Sequence, residues 1–204
     1  MKTKILSFVT IAAIVLGIST TSFAATKNDS AAKDNEVSTV LTNVSKISKI
    51  EVRGNVELFV TDNESDQVKV YNRYYAESAL VQSQNGVLRI TSYSAQKLQV
   101  WVKASQLSSI VAYDNAEVKS FGKLAPIAMD VTLHDNAYAN LNIEGYSVNI
   151  TVNNRAKADL TGNVSECNLK YNRSASVNST NFVAEHIIRT VDVDARKAQE
   201  FVGL

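Results

Sequence analysis

From about residue 47 onward, apolar and polar residues alternate along the chain, and a short polar turn interrupts the alternation at near-regular intervals. The clearest unit is Ile110–Val118: Ile110 and Ala112 are the apolar positions of one run, Asp114-Asn115 is the turn, and Ala116 and Val118 open the next run. Ile50–Leu58 (IEVRGNVEL) matches it position for position. Further copies are Val131–Ala139 (VTLHDNAYA), Ile150–Ala158 (ITVNNRAKA), Leu169–Val177 (LKYNRSASV) and a looser Val191–Ala198 (VDVDARKA). A period of two is the signature of a half-buried strand, not of a helix. Each copy therefore predicts strand, turn, strand.

Taking the small residue after the turn as an anchor gives Ala116, Ala137, Ala156, Ala175 and Ala198, spaced 21, 19, 19 and 23 residues apart. That is too short for helix-pair repeats and close to the floor of solenoid periods. Gly122, Gly145, Gly162, Asn181 and Gly203 follow the outgoing strands, and Gly and Asn accept sharp reversals at low cost. Two strands and two turns make one coil. The expectation is an all-β, right-handed parallel β-helix, a solenoid of two facing sheets. Ile110, Val131, Ile150 and Leu169 should form one interior column, and Ala116, Ala137, Ala156 and Ala175 another. An antiparallel β-sandwich is the alternative, since it also shows short strands at regular spacing, but it has no reason to repeat one turn phrase in register. Only Ala76–Val81 and Ala195–Phe201 have room for a helical turn or two, and Pro126 is the single proline. Val68–Val102 is strand-like but less repetitive, as expected of irregular first coils or a small sheet closing one end.

Met1–Ala24 carries Lys2 and Lys4, an apolar run from Ile5 to Ile18, and Ser22-Phe23-Ala24 with small residues at −3 and −1. These are the parts of a secretory signal peptide cleaved after Ala24; the run is short for a retained span. Residues 25–46 read as a polar linker or disordered leader, with Val37–Val44 able to join the first coil, and 47–204 as one β-solenoid domain. Without Lys2 and Lys4, 19 basic residues face 20 acidic ones, so the footprint of a nucleic-acid binder is missing. No membrane span is expected after cleavage. A single cysteine, Cys167, rules out an intramolecular disulfide and occupies a strand position, as a buried structural thiol would.

Candidate chemistry is thin. Two histidines, His134 and His186, leave no His-rich metal site, and no G-x-S-x-G elbow, P-loop or G-x-G-x-x-G occurs. No catalytic residue, cofactor or metal is therefore assigned. His134 shares its repeat position with Tyr113, Asn153 and Asn172 and reads as a solvated turn residue. The turn column stacks Asp114-Asn115, Asp135-Asn136, Asn153-Asn154, Asn172-Arg173 and Asp194. Such oxygens resemble Ca²⁺ ligands, but Asn and Asp in turns ordinarily bond to backbone and to each other, and a structural ladder is the preferred reading. Tyr113 and Tyr138 flank turns, where rings can stack on sugars or anchor a protein partner. Tyr113, Asp114, Asn115, Asp135, Asn136 and Tyr138 are the candidate surface contacts.

The exported leader, the opening Ile50–Val60 (IEVRGNVELFV), the later Gly86–Ile90 (GVLRI) and the small-residue turns together resemble the putative auto-transporter adhesin, head GIN domain family, which is found largely in Bacteroidetes-type bacteria. The resemblance covers Ile47 to Leu204. The family's usual turn phrase is Gly-Ser-Gly followed by Ala; here Asp-Asn-Ala, Asn-Arg-Ala and Arg-Ser-Ala stand instead. The resemblance implies a pectin-lyase-like β-helix without a recognised catalytic set, and cell-surface adhesion. The functional expectation is an exported, non-enzymatic binding or adhesion module of a bacterial envelope, located in the periplasm, at the outer-membrane surface or outside the cell. Its partner would be an envelope, carbohydrate or protein component. A periplasmic structural or stress-related protein is the alternative, and a Ca²⁺-dependent polysaccharide lyase ranks behind both.

Overall fold

The computed structural model describes residues 38–41, 44, 46–71 and 79–192. The leader, most of the linker, Ala195–Phe201, Ala198, Asp194 and Gly203 lie outside the described residues. The described residues form thirteen strands: β1 (Ser38–Leu41), β2 (Lys49–Gly54), β3 (Val56–Asp62), β4 (Gln67–Tyr71), β5 (Ala79–Gln84), β6 (Val87–Ser92), β7 (Leu98–Ala104), β8 (Ser109–Ala112), β9 (Glu117–Ser120), β10 (Ala128–Leu133), β11 (Tyr138–Val152), β12 (Lys157–Asn172) and β13 (Ser176–Asp192). Among the described residues there is no helix; Ala79–Val81, read as able to hold a helical turn, belong to β5.

The fold is all-β, a mixed sheet that curls into a half-barrel. Hydrogen-bonded neighbours run β1-β4-β7-β3-β9-β11 and back through β11-β10-β8-β2-β6-β5, with β12 beyond β11 and β13 beyond β12. The wholly parallel sheets that the repeat suggested are not what forms. β4 pairs antiparallel with β1 and β7, and β5 pairs antiparallel with β6. The reason is local: residues 67–84 lie outside the repeat, and β4 and β5 run against their neighbours there. An antiparallel sandwich is not formed either, because the repeat strands β2, β3 and β8–β13 pair in parallel with one another, and β6 and β7 pair in parallel with β2 and β3.

Register follows the repeat. Ile50 stands beside Ile110, Ile110 beside Val131, Val131 beside Ile150, and Ile150 beside Leu169. All are buried, as are Ala116, Ala137 and Ala156, while Ala175, the last of the expected alanine column, is only half-buried. β2 lies between β6 and β8. The first copy in sequence is thus flanked by the stretch that follows it on one side and by the Ile110 copy on the other.

β11 and β12 each take part in both runs of the sheet. Residues 138–140 of β11 pair with β9, and 147–152 pair with β10. Their burial alternation changes phase midway: Ala139, Leu141 and Ile143 are buried, then Val148, Ile150 and Val152. Such a phase change turns the chain through a corner while its apolar side chains keep facing inward.

Candidate functional site

The turn of each repeat explains its own polar residues. Asp114, Asp135 and Asn154 hold φ values of 59°, 60° and 58°, and Gly54, at the same repeat position, holds 81°. Left-handed backbone disfavours most side chains, but Asp, Asn and Gly tolerate it. At Gly54 a Cβ would meet the Ser92 carbonyl oxygen at 2.1 Å, so only glycine fits.

Side chains of successive turns then bond to one another. The Asp114 amide donates to Asp135 Oδ2 (3.3 Å), and Asn154 Nδ2 donates to Asp135 Oδ1 (3.0 Å). Asn136 Nδ2 donates to Asn115 Oδ1 (3.3 Å), and Arg155 Nε donates to Asn136 Oδ1 (3.0 Å). Tyr93 Oη donates to Asp114 Oδ2 (3.1 Å), which raises the Tyr93 phenol above its ordinary value. A second file of rings stands beside them. The Arg53 guanidinium lies 3.6 Å above the Tyr113 ring, and the His134 ring stacks on Tyr113 at 4.7 Å and 4°. Tyr113 therefore has one face against a cation and the other against imidazole, leaving its edge to solvent. Both Asp135 oxygens are engaged by donors. Among the described residues no three His, Cys, Asp or Glu side chains gather into a metal-holding group.

Tyr138 is placed differently. It projects from the outer face of β11, half-buried, and its hydroxyl donates to Asp159 Oδ2 at 2.6 Å; that bond chiefly raises its phenol pKa. The structure thus brings Tyr113, Asp114, Asn115, Asp135 and Asn136 together on one edge and sets Tyr138 on another face.

That outer face carries a cluster that turn-by-turn reading missed. Register aligns Lys69, Trp101, Phe59, Lys119 and Asn140 across β4, β7, β3, β9 and β11. Phe59 and Trp101 stack at 4.5 Å and 20°, and Phe121 meets Trp101 edge-on at 5.2 Å. Phe121 is 61% exposed. Alongside, Lys119 bonds Glu57 and, at 3.2 Å, Glu117, while Gln99 Nε2 donates to Glu57 Oε2 at 3.0 Å. The Glu57 hydrogen bond is the main reason the Lys119 ammonium is held above its ordinary value, and the Lys97 hydrogen bond the main reason Glu117 is held below. Three aromatics thus sit beside a closed net of charges. The sequence signal was available: Phe59 occupies the repeat position that Lys119 fills in the next copy, so an outward slot had turned aromatic. A cleft of about 440 Å³ opens farther along, lined by Asp62, Leu107, Leu124 and Ile127 among others. Cys167 is buried within β12, and burial pushes its thiol up.

Residues 46–196 match the family described as putative auto-transporter adhesin, head GIN domain. The chain belongs to this family. Solved structures share the fold at low identity. One is described as a putative adhesin from Bacteroides fragilis, 12% identical over 77% of this chain and 76% of that one, TM-score 0.66. Another, a putative adhesin from Parabacteroides merdae, is 13% identical over 78% of each chain, TM-score 0.63. A third, described as a putative lipid binding protein from Parabacteroides distasonis, is 10% identical over 77% and 79%, TM-score 0.61. No curated protein matches the chain by sequence. No helix of the described residues is long and apolar enough to cross a membrane.

Proposed function

We propose that this member of the adhesin family is an exported, non-enzymatic binding module, and that its contact surface is the outer face around Trp101, Phe59 and Phe121. The carrying observation is the aromatic group itself: exposed Phe121 meets half-buried Trp101, which stacks on half-buried Phe59, bordered by Lys69, Lys119 and Glu57. An aromatic centre with a charged border is the anatomy of a protein-binding hot spot. Phe59 and Trp101 cover each other's faces, which favours a protein partner over a sugar needing two open rings. Export is supported by Lys2 and Lys4, the apolar run to Ile18 and the small residues before Ala25. The in-register parallel strands support reading the repeats as successive coils of a solenoid, a rigid mount for such a face.

The test is binding of the exported chain to immobilised matrix proteins and to a glycan array, with labelling of intact cells. Trp101→Ala combined with Phe121→Ala should weaken protein binding about tenfold or more without changing the far-ultraviolet spectrum. Binding to glycans alone, or a purely periplasmic location, would exclude this assignment.

A further inference from the structure

β13 is 17 residues long, and among the described residues it pairs with β12 alone. Its outer backbone groups are a template for another strand, and natural sheets seldom leave a long edge unguarded. Val183 and Ile188 project there, 61% and 65% exposed.

Register fixes which way each β13 side chain points. Phe182 and Ala184 stand beside Gly162 and Val164, and Ile187 and Arg189 stand beside Cys167 and Leu169. These four face inward; Val183 and Ile188 face outward. The corner lies between the two arms, where the pairing with β12 steps from Ala184 to His186 past Glu185.

We infer that β13 pairs edge to edge with β13 of a second copy, antiparallel, about a two-fold axis between Glu185 and His186. This register alone superimposes the two corners with inward residues opposite inward ones. It sets Val183 opposite Ile188, Ala184 opposite Ile187 and Glu185 opposite His186, each twice by symmetry. Two exposed apolar residues thereby cover each other, and a carboxylate acceptor meets an imidazole. Arg189 falls opposite Phe182, the one aromatic in the strand, so its guanidinium gains a ring. Opposite an aliphatic residue the same arginine would be an inward-pointing charge, which is how edges repel partners of the wrong sequence. Self-pairing is therefore permitted where indiscriminate pairing is penalised.

Light scattering on the chain purified after export should give twice the chain mass at high concentration. Ile188→Lys should give a monomer with an unchanged far-ultraviolet spectrum, since that side chain is mostly exposed. Glu185→Lys should weaken the dimer about tenfold, and adding His186→Glu should restore it. The register is read with a short bismaleimide. Val183→Cys and Ile188→Cys preparations should cross-link when mixed and not separately, because like positions lie about 17 Å apart along the strand. A chain that is monomeric at every concentration, with its edge covered by its own residues 193–204 or guarded by Arg189, would overturn the inference. So would a dimer indifferent to Ile188→Lys, or cross-linking by either single variant alone.

Discussion

At one end of the sheet the chain reverses direction, so that β4 and β5 run antiparallel to their neighbours β7 and β6 and β1 runs antiparallel to β4. At the other end the parallel order continues into β13, where the interior column changes from Leu169 to Arg189. The first end is closed by added structure with its own contacts. Asp66, in the loop between β3 and β4, accepts from the Ile47 amide and from both the amide and hydroxyl of Ser105. The second end is the repeat with its apolar content lowered: Phe182 is buried, but Ile187, Ile188 and Val191 are exposed. A regular run of parallel strands cannot end itself, since every edge strand presents the backbone that the next would cover. One end solves this with new geometry and the other with new side chains.

Four substitutions sharpen that contrast. Gly54→Ala, at the end of β2, should cost about 4 kcal/mol in denaturant unfolding, because it combines left-handed strain with a clash against backbone. Ile150→Ala in the middle of the stack should cost about 3 kcal/mol. Asp66→Ala should cost about 2 kcal/mol at neutral pH. Burial alone would raise the Asp66 pKa, but the Ile47 and Ser105 donors outweigh it and hold the carboxyl below its ordinary value. Its contribution is therefore present above the unfolded value, is lost as pH falls through the folded one, and the difference between wild type and variant should vanish in acid. Hydrogen exchange on acidification should rise first around residues 46–48 and 105–108. Ile188→Ala, at the far end, should change the stability of the single chain, measured at a concentration too low for association, by less than about 0.5 kcal/mol, since that side chain is mostly exposed there.

The middle of the stack was legible because its signal is redundant: Ile110, Val131, Ile150 and Leu169 each announce the same column, and parallel register places them side by side. The antiparallel strands were not legible. Gln67–Tyr71 and Ala79–Gln84 alternate as any strand does, and alternation carries no direction. The turn ladder could be foreseen because Asp and Asn at positive φ have a local cause. The outer cluster could not be found turn by turn, since Trp101 lies outside the repeat and meets Phe59 only through the pairing of β7 with β3.

The intercalation of β2 between β6 and β8 bears on the order in which the domain can assemble. A chain emerging from the ribosome delivers the Ile50 copy before the other copies, yet that copy acquires its two flanks from segments delivered later, one before and one after residue 105. Growth is then accretion on both sides of an early seed, followed by one-directional winding through β10 to β13. Synthesis that stalls before β8 would leave the seed covered on one flank and sticky on the other, so the rate at which residues 105–120 follow sets how long the nascent domain is exposed to misassembly.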